Sequence, residues 1–584
     1  MAEVERRHVG LVIGTEDAFA LDFWVYVDPQ QYLQLDDVVT VPVTLPDGKP
    51  IRLHGIVDIV RSRFEGARFD SDSAAARDQR LPVGVAHAAH VSVTRVEPEI
   101  FVAPSPGTQV FKSEGIERDE ALYFDQMLAR KTAFLAGFSR TGEPVYGNIE
   151  FLNGTRGAHA NISGISGVAT KTSYALFLLY SLFHSNVLGL EAPNTKALIF
   201  NVKGEDLLWL DKPNRELTPE ATKQYESAGL PVGPFRSVGI WAPVRKQGDL
   251  MIPASDTRTD GVTAYAWSLE EFCRERLLRF LFAEGDNETS QLSYLIRLAE
   301  EWLTRFQPAD GSTLDERLTA DDSPTPLRST RGWIRLGDHV VRDFDSLVEA
   351  VKDNIDTFAG GAAPGSRSAF IRRLDDARFT AGHLVRAIQP DKAGHYRINV
   401  LGNEAGGHQV SVIDIHNLKD RAKRFVVGVV VRRLLEQKEE TGSSRPLVFL
   451  VLDELNKYAP REGWSPIKEV LLDIAERGRS LGLILIGAQQ TASEIERRVT
   501  ANAAFRVAGR LDSAEAARAE YGFLTDAARA RAAILKPGTM FLHQPEIPVP
   551  ILTQFPYPAW ATRKSEVDHD APAPGGGSPL LEWR

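Results

Sequence analysis

The sequence predicts an α/β protein: a parallel sheet covered by helices, broken by a mostly helical insertion and preceded by a small β-barrel. Three observations predict it. Leu447 to Leu452 are six consecutive apolar residues that run into Asp453-Glu454, the signature of a strand buried on both faces. Ala160-Asn161-Ile162-Ser163 reads as a short strand, followed by the stretch Gly164 to Ser173 and the apolar helix Tyr174 to His184. The first 105 or so residues are short runs rich in β-branched and aromatic residues, separated by turn signals.

The chain has 584 residues, enough for several domains with their own cores. Residues 1–105 carry the runs at His8, Phe23, Val38 and Ile51, with Val91 to Val96 expected to close the barrel and Pro104 to Gly107 to be a linker. The stretch Arg61 to Asp78 reads as a charged loop or irregular hairpin. Residues 106–212 begin the sheet core, with a helix over Glu117 to Leu128 and strands at Tyr146 to Leu152 and Lys196 to Val202. Residues 213–395 are helical by period at Ser268–Phe282, Gln291–Phe306 and Phe344–Phe358. The loops between them, Pro308 to Pro326 and Gly360 to Ser366, are rich in Pro, Gly and polar residues. Arg372-Arg373 and Arg386 are basic candidates for a channel, or solvated surface. Residues 396–563 resume the sheet with strands at Gln409–Ile415, Leu447–Leu452, Leu483–Gly487 and Ala504–Leu511 and a long helix at Lys419–Glu440. Residues 564–584 read as a flexible tail.

Composition narrows the class. One cysteine, Cys273, excludes an internal disulfide framework and fits a reducing cytoplasm. The N-terminus lacks an apolar signal core, and Tyr174 to His184 is too short to span a bilayer, so no membrane attachment is expected. The net charge of −10 is not that of a simple DNA-binding domain. It is compatible with a ring whose positive charge is concentrated in a channel.

Chemistry is expected at the ends of the buried strands, where open α/β sheets bind ligands. Asp453 is placed to hold Mg²⁺ and Glu454 to polarise a water, the Walker B arrangement. Strand, glycine loop, Lys-Thr and helix is the P-loop order. Gly164, Gly167, Thr170, Lys171, Thr172 and Ser173 are therefore the nucleotide-binding candidates, with Lys171 on the β/γ-phosphates and Thr172 on Mg²⁺. The spacing departs from the usual one. Its glycine positions, six residues and one residue before the lysine, are Ile165 and Thr170, while the glycines stand seven and four before it. A longer phosphate loop and a non-binding glycine turn both fit. Gln489, at the end of another buried strand, is a candidate for sensing the γ-phosphate or orienting the water, or else a turn residue.

The motif order resembles the HerA/FtsK group of hexameric DNA-translocating ATPases, and bacterial HerA most of all. The residues that carry the resemblance are Lys203-Gly204-Glu205-Asp206, Val412-Ile413-Asp414-Ile415-His416-Asn417-Leu418, Asp453-Glu454, Glu476-Arg477-Gly478-Arg479-Ser480-Leu481-Gly482, Gln489, and Ala503 to Arg506 with Arg510-Leu511. The phosphate loop departs from the family pattern. The resemblance implies a RecA-like P-loop ATPase core that uses ATP and Mg²⁺, with Glu454 as catalytic glutamate and Asp453 as metal-linked acid. It places Arg477 and Arg479 where an arginine finger reaches a neighbouring subunit, and Arg156 as a second transition-state arginine. It further implies a homo-hexamer on double-stranded DNA, working with a NurA-type nuclease in end resection and recombinational repair. The competing readings are an ATP-regulated ring scaffold for another effector, as in antiphage defence, and a nucleotide-binding protein that has lost hydrolysis.

Overall fold

Along Asp22–Val27 the residues Phe23, Val25 and Val27 are buried and their neighbours are not, the period-two pattern of a strand with one face on a core. Five more strands join it. The computed structural model describes residues 6–67, 69–165, 170–204, 206–247, 250–282, 290–309, 331–389, 391–402 and 407–569. By internal contacts these fall into two units: 1–152 with 163–170 and 504–555, and 153–162 with 171–503 and 556–584.

The first unit contains a closed six-stranded barrel, in the order Arg7–Val12, Asp22–Val27, Gly84–Glu97, Pro50–Glu65, Val38–Thr44, Gln109–Lys112. The closing strand is Gln109–Lys112, antiparallel to Arg7–Val12, so the barrel extends past residue 105. Pro104 to Gly107 is a turn within it, pinned by Gly107 N donating to Val12 O at 2.8 Å. Proline and glycine mark a tight turn as readily as a linker. Arg61 to Glu65 continue a strand, and Asp70–Arg77 is a helix. Beyond the barrel, Ala133–Phe138, Pro144–Asn148, Ile551–Gln554, Thr539–His543 and Ala503–Ala508 form an antiparallel ladder. Much of the expected 106–212 and 396–563 core segments therefore belongs to this unit. Glu117 to Leu128 divides into helices Ile116–Ala121 and Phe124–Ala129, broken at Tyr123 with φ +60°.

The second unit holds the parallel sheet: β1 (Ala158–Ser163), β2 (Lys196–Asn201), β3 (Val238–Gln247), β4 (Val410–Asp414), β5 (Val448–Asp453) and β6 (Leu483–Gln489). Their spatial order is β3-β4-β2-β5-β6-β1. The pairings that run from β3 through β4, β2 and β5 to β6 are all parallel. Helix α1 (Thr170–His184) follows β1, α2 (Asp420–Thr441) leads into β5, and α3 (Pro466–Leu481) joins β5 to β6. The chain folds this way because the strands are apolar on both faces, every residue of β5 and β6 being buried, and need helices on each side.

Two expected boundaries change here. β3 and its neighbours Leu250–Pro253 and Val262–Tyr265 extend the sheet, so the 213–395 segment mixes strands with its helices rather than being mostly helical throughout. Its helices include Gln291–Leu303, Phe344–Asp353 and the 17-residue Pro364–Thr380. At the other end, residues 564–569 are ordered: Lys564–Glu566 is a 3₁₀ turn and Arg215 N donates to Glu566 O at 2.9 Å. Trp560, fully buried against Tyr180 and Phe235, holds this segment down. Residues 570–584 and most of the Pro308–Pro326 loop lie outside the described residues.

Candidate nucleotide site

Register puts the ends of the central strands at one edge. Phe200 pairs with Leu452 and Asp453 with Ala488, so Asn201, Asp453 and Gln489 finish together. Lys171, Thr172 and Ser173 lie in the first turn of α1, the end of a helix whose dipole favours an anion. Thr172 Oγ1 donates to Asp453 Oδ2 at 3.1 Å. Lys171 is 5% exposed, and burial lowers its pKa to about 8, with Lys203 adding repulsion and Asp453 and Glu454 opposing. The phosphate-loop residue Gly167 lies outside the described residues, as does the side chain of Thr170. Gly164 is described in the first unit, where Ile165 N donates to Arg510 O at 2.7 Å.

Glu454 adopts a left-handed backbone, φ +56°, uncommon for a residue with a Cβ and a mark of functional turns. Asp453 Oδ1 accepts from Glu454 N at 2.8 Å and holds that turn. The Glu454 carboxylate sits between Lys203 Nζ, 3.1 Å from Oε1, and Lys457 Nζ, 2.6 Å from Oε2. Burial pushes its pKa up, but Lys457 and Lys203 outweigh that and hold it below the usual value. Lys203 responds in kind: burial lowers its pKa, yet Asp453 and Glu454 leave it raised. Glu454 is thus an ionised carboxylate with both oxygens engaged.

Gln489 is fully buried, and its Nε2 donates to Asn161 Oδ1 at 2.5 Å. Among the described residues its Oε1 has no hydrogen-bond partner. Asn161, Lys203 and Lys457 were not singled out as site residues by the sequence. Asn161 lies in the predicted strand before the glycine loop, and Lys457 follows Glu454 by three residues; neither fact specifies the contact.

The oxygen donors Thr172 Oγ1 and Asp453 Oδ2, 3.1 Å apart, are the kind Mg²⁺ takes when nucleotide phosphates and water complete its shell. They fit the ion. Among the described residues no group of three or more His, Cys, Asp and Glu side chains is arranged to hold a metal, which a phosphate-held ion does not require.

No family model and no curated protein matches the chain. Solved structures do. VirB4 of Thermoanaerobacter pseudethanolicus is 17% identical over 72% of this chain and 96% of its own, with a TM-score of 0.40. The bacterial conjugative coupling protein TrwBdeltaN70, in its unbound monoclinic form, is 13% identical over 76% of this chain and 94% of its own, TM-score 0.42. TrwB in complex with ADP and Mg²⁺ is 14% identical over 70% of this chain and 88% of its own, TM-score 0.39. Similarities this distant assign no activity to this chain.

The arginines lie elsewhere. Arg479 donates from Nε to Gly154 O at 2.7 Å and from Nη2 to Thr155 O at 2.6 Å, clasping the loop before β1. Arg477 pairs at the surface with Glu439 at 2.7 Å. Both are in the last turns of α3, some 24 Å long by its 16 residues at about 1.5 Å each, and so at the opposite edge of the sheet from Glu454. Arg156 is an exposed residue of the same loop. Of the basic residues on α2, Arg433 bonds Glu275 at 2.8 Å and Arg432 bonds the Glu275 carbonyl at 2.6 Å, turned into the helical segment. Glu205 is outside the described residues. Among the described residues no helix is long and apolar enough to cross a membrane.

Proposed function

We propose that the chain is a Mg²⁺-dependent ATPase that drives double-stranded DNA through a homo-hexameric ring in the cytoplasm. The observation that carries the nucleotide half is the meeting of Thr172 Oγ1 and Asp453 Oδ2 at 3.1 Å across 281 residues, beside a buried Lys171. Lys171 binds the β/γ-phosphates, and the α1 N-terminus supplies backbone donors. Bound Mg²⁺ supplies neutralisation of the phosphate oxygens. Glu454 accepts a proton from the attacking water, once one of its oxygens is released, and Gln489 orients the polar contacts between β1 and β6. Arg477, in a surface pair with Glu439, is the better candidate for a finger in trans; Arg479 is committed to the loop before β1.

The DNA half rests on the order of motifs along the chain, as does partnership with a NurA-type nuclease in end resection. The test is ATP turnover with and without duplex DNA, run beside Lys171→Ala. DNA-stimulated turnover lost in Lys171→Ala is expected; turnover indifferent to DNA overturns the translocase reading. A second reading, a ring scaffold for an effector nuclease in antiphage defence, is favoured by the two lysines on Glu454, which suit slow hydrolysis. It predicts ring assembly with little turnover in the same assay.

A further inference from the structure

Lys203 follows β2 at the edge of the sheet where β5 delivers its acids. Its Nζ is 3.1 Å from Glu454 Oε1 and 3.6 Å from Asp453 Oδ2. That same Asp453 oxygen accepts the Thr172 hydroxyl. One ammonium therefore stands beside the metal-side oxygen of Asp453 and one oxygen of the glutamate. The other Glu454 oxygen is held separately by Lys457, from within the same turn. The Lys203 side chain is 47% exposed, so it can swing on its four-carbon stem at small cost, unlike the buried Lys171.

We propose that Lys203 is a positioning residue that couples metal binding to release of the catalytic glutamate: its ammonium competes with Mg²⁺ for Asp453 Oδ2, and its displacement opens Oε1 of Glu454 to water. The inference rests on the nucleotide-site reading above. Electrostatics gives the direction. A divalent ion on Asp453 and an ammonium at contact distance repel by more than thermal energy even in a water-like dielectric. Lys203 must withdraw, and the contact it loses with Asp453 is coupled to the one it makes with Glu454. Lys457 touches only the far oxygen of Glu454, so it keeps the carboxylate oriented while the near oxygen becomes available. An oriented carboxylate with one open lone pair is what a general base requires. The alternative role, a further phosphate ligand beside Lys171, predicts the opposite response to removal of the charge.

The probe is Mn²⁺, followed by electron paramagnetic resonance on the full chain with a saturating non-hydrolysable ATP analogue. Lys203→Met should bind Mn²⁺ about fivefold more tightly than wild type, the factor expected for removing one half-exposed competing charge. Lys203→Arg should stay close to wild type and Lys457→Met should leave Mn²⁺ affinity unchanged. Unchanged or weaker Mn²⁺ binding by Lys203→Met overturns the proposal, and so does weaker analogue binding by that variant in EDTA. Circular dichroism confirms folding, and Lys203→Gln, which removes the charge but keeps a polar end, runs the same test with the same expected tightening if the methionine variant does not fold. A wild-type protein that binds neither analogue nor Mn²⁺ is a different result: it removes the nucleotide-site reading and this proposal with it.

Discussion

Raising the pH should loosen nucleotide through Lys171. Burial brings the Lys171 pKa down from 10.5 to about 8. A lysine holds phosphate electrostatically only while it is protonated, so affinity should follow the protonated fraction. For a pKa near 8 that fraction is roughly 0.9 at pH 7 and about 0.1 at pH 9, a tenfold fall, or about 1.4 kcal/mol. The assay is a fluorescence titration of labelled ATP in EDTA at constant ionic strength, at pH 7, 8 and 9. Lys171→Arg is the control, because a guanidinium keeps its charge throughout this range; it also cancels the titration of the ATP itself. Binding should take up a proton in wild type, since bound phosphate raises the lysine pKa again. If wild type and Lys171→Arg show the same pH dependence, Lys171 is not the phosphate ligand. For folding, the sign is reversed: between about pH 8 and pH 10.5 the unfolded chain holds this proton more tightly, so the contribution of Lys171 to stability rises with pH.

Glu454→Gln should lower hydrolysis by about 10²- to 10⁴-fold while nucleotide stays bound; near-wild-type turnover would refute the base assignment. Arg479→Ala should destabilise the fold by about 1 kcal/mol through its two lost carbonyl bonds, read as a lower Tm, whereas Arg477→Ala should leave Tm unchanged and reduce turnover. Mixing Arg477→Ala with Glu454→Gln subunits should recover part of that turnover, and no recovery in demonstrably mixed assemblies counts against a finger in trans. DNA binding should weaken steeply with salt and show little sequence preference; salt-insensitive binding contradicts a charged channel. In the barrel, the hydrogen bond that His90 Nδ1 donates to Asp58 Oδ1 at 2.6 Å raises the His90 pKa above 6.5. Its stabilisation is full below pH 6.5 and is lost as pH rises through the folded pKa, so Asp58→Asn should cost more Tm at pH 6 than at pH 8.

The central strands were legible because their chemistry is concentrated in sequence. Leu447 to Leu452 has no polar residue to suggest an exposed face, and the acids follow at once. The apolar helix after the glycine loop was legible for the same reason. β3 was not. Pro243 lies in its middle, and a proline in a central strand argues against one. The pairing of β3 with β4 ends at Trp241, so the missing donor falls past the last of those pairs. The Arg61–Glu65 strand was hidden by charge, which a ribbon extending past the core tolerates. At the site, Asp453 and Thr172 were legible from motif order. The Lys203–Glu454–Lys457 contact was not, because it depends on the left-handed turn at Glu454, which no local pattern of Asp-Glu-Leu-Asn-Lys specifies.

The ladder of the first unit also sets a timetable for synthesis. Phe138 is in register with Gln554, a separation of 554 − 138 = 416 residues. At about 5–20 residues per second a ribosome needs roughly 20 to 80 s to make that stretch. Throughout it, the Ala133–Phe138 strand has only its hairpin partner Pro144–Asn148 and presents an open, apolar edge. Such an edge is a template for pairing with another nascent chain, and polysomes bring identical nascent chains close together. The hazard is greatest before the C-terminal strands emerge. Slower elongation through the intervening segment should raise the aggregated fraction, and a separately supplied 504–555 fragment should lower it.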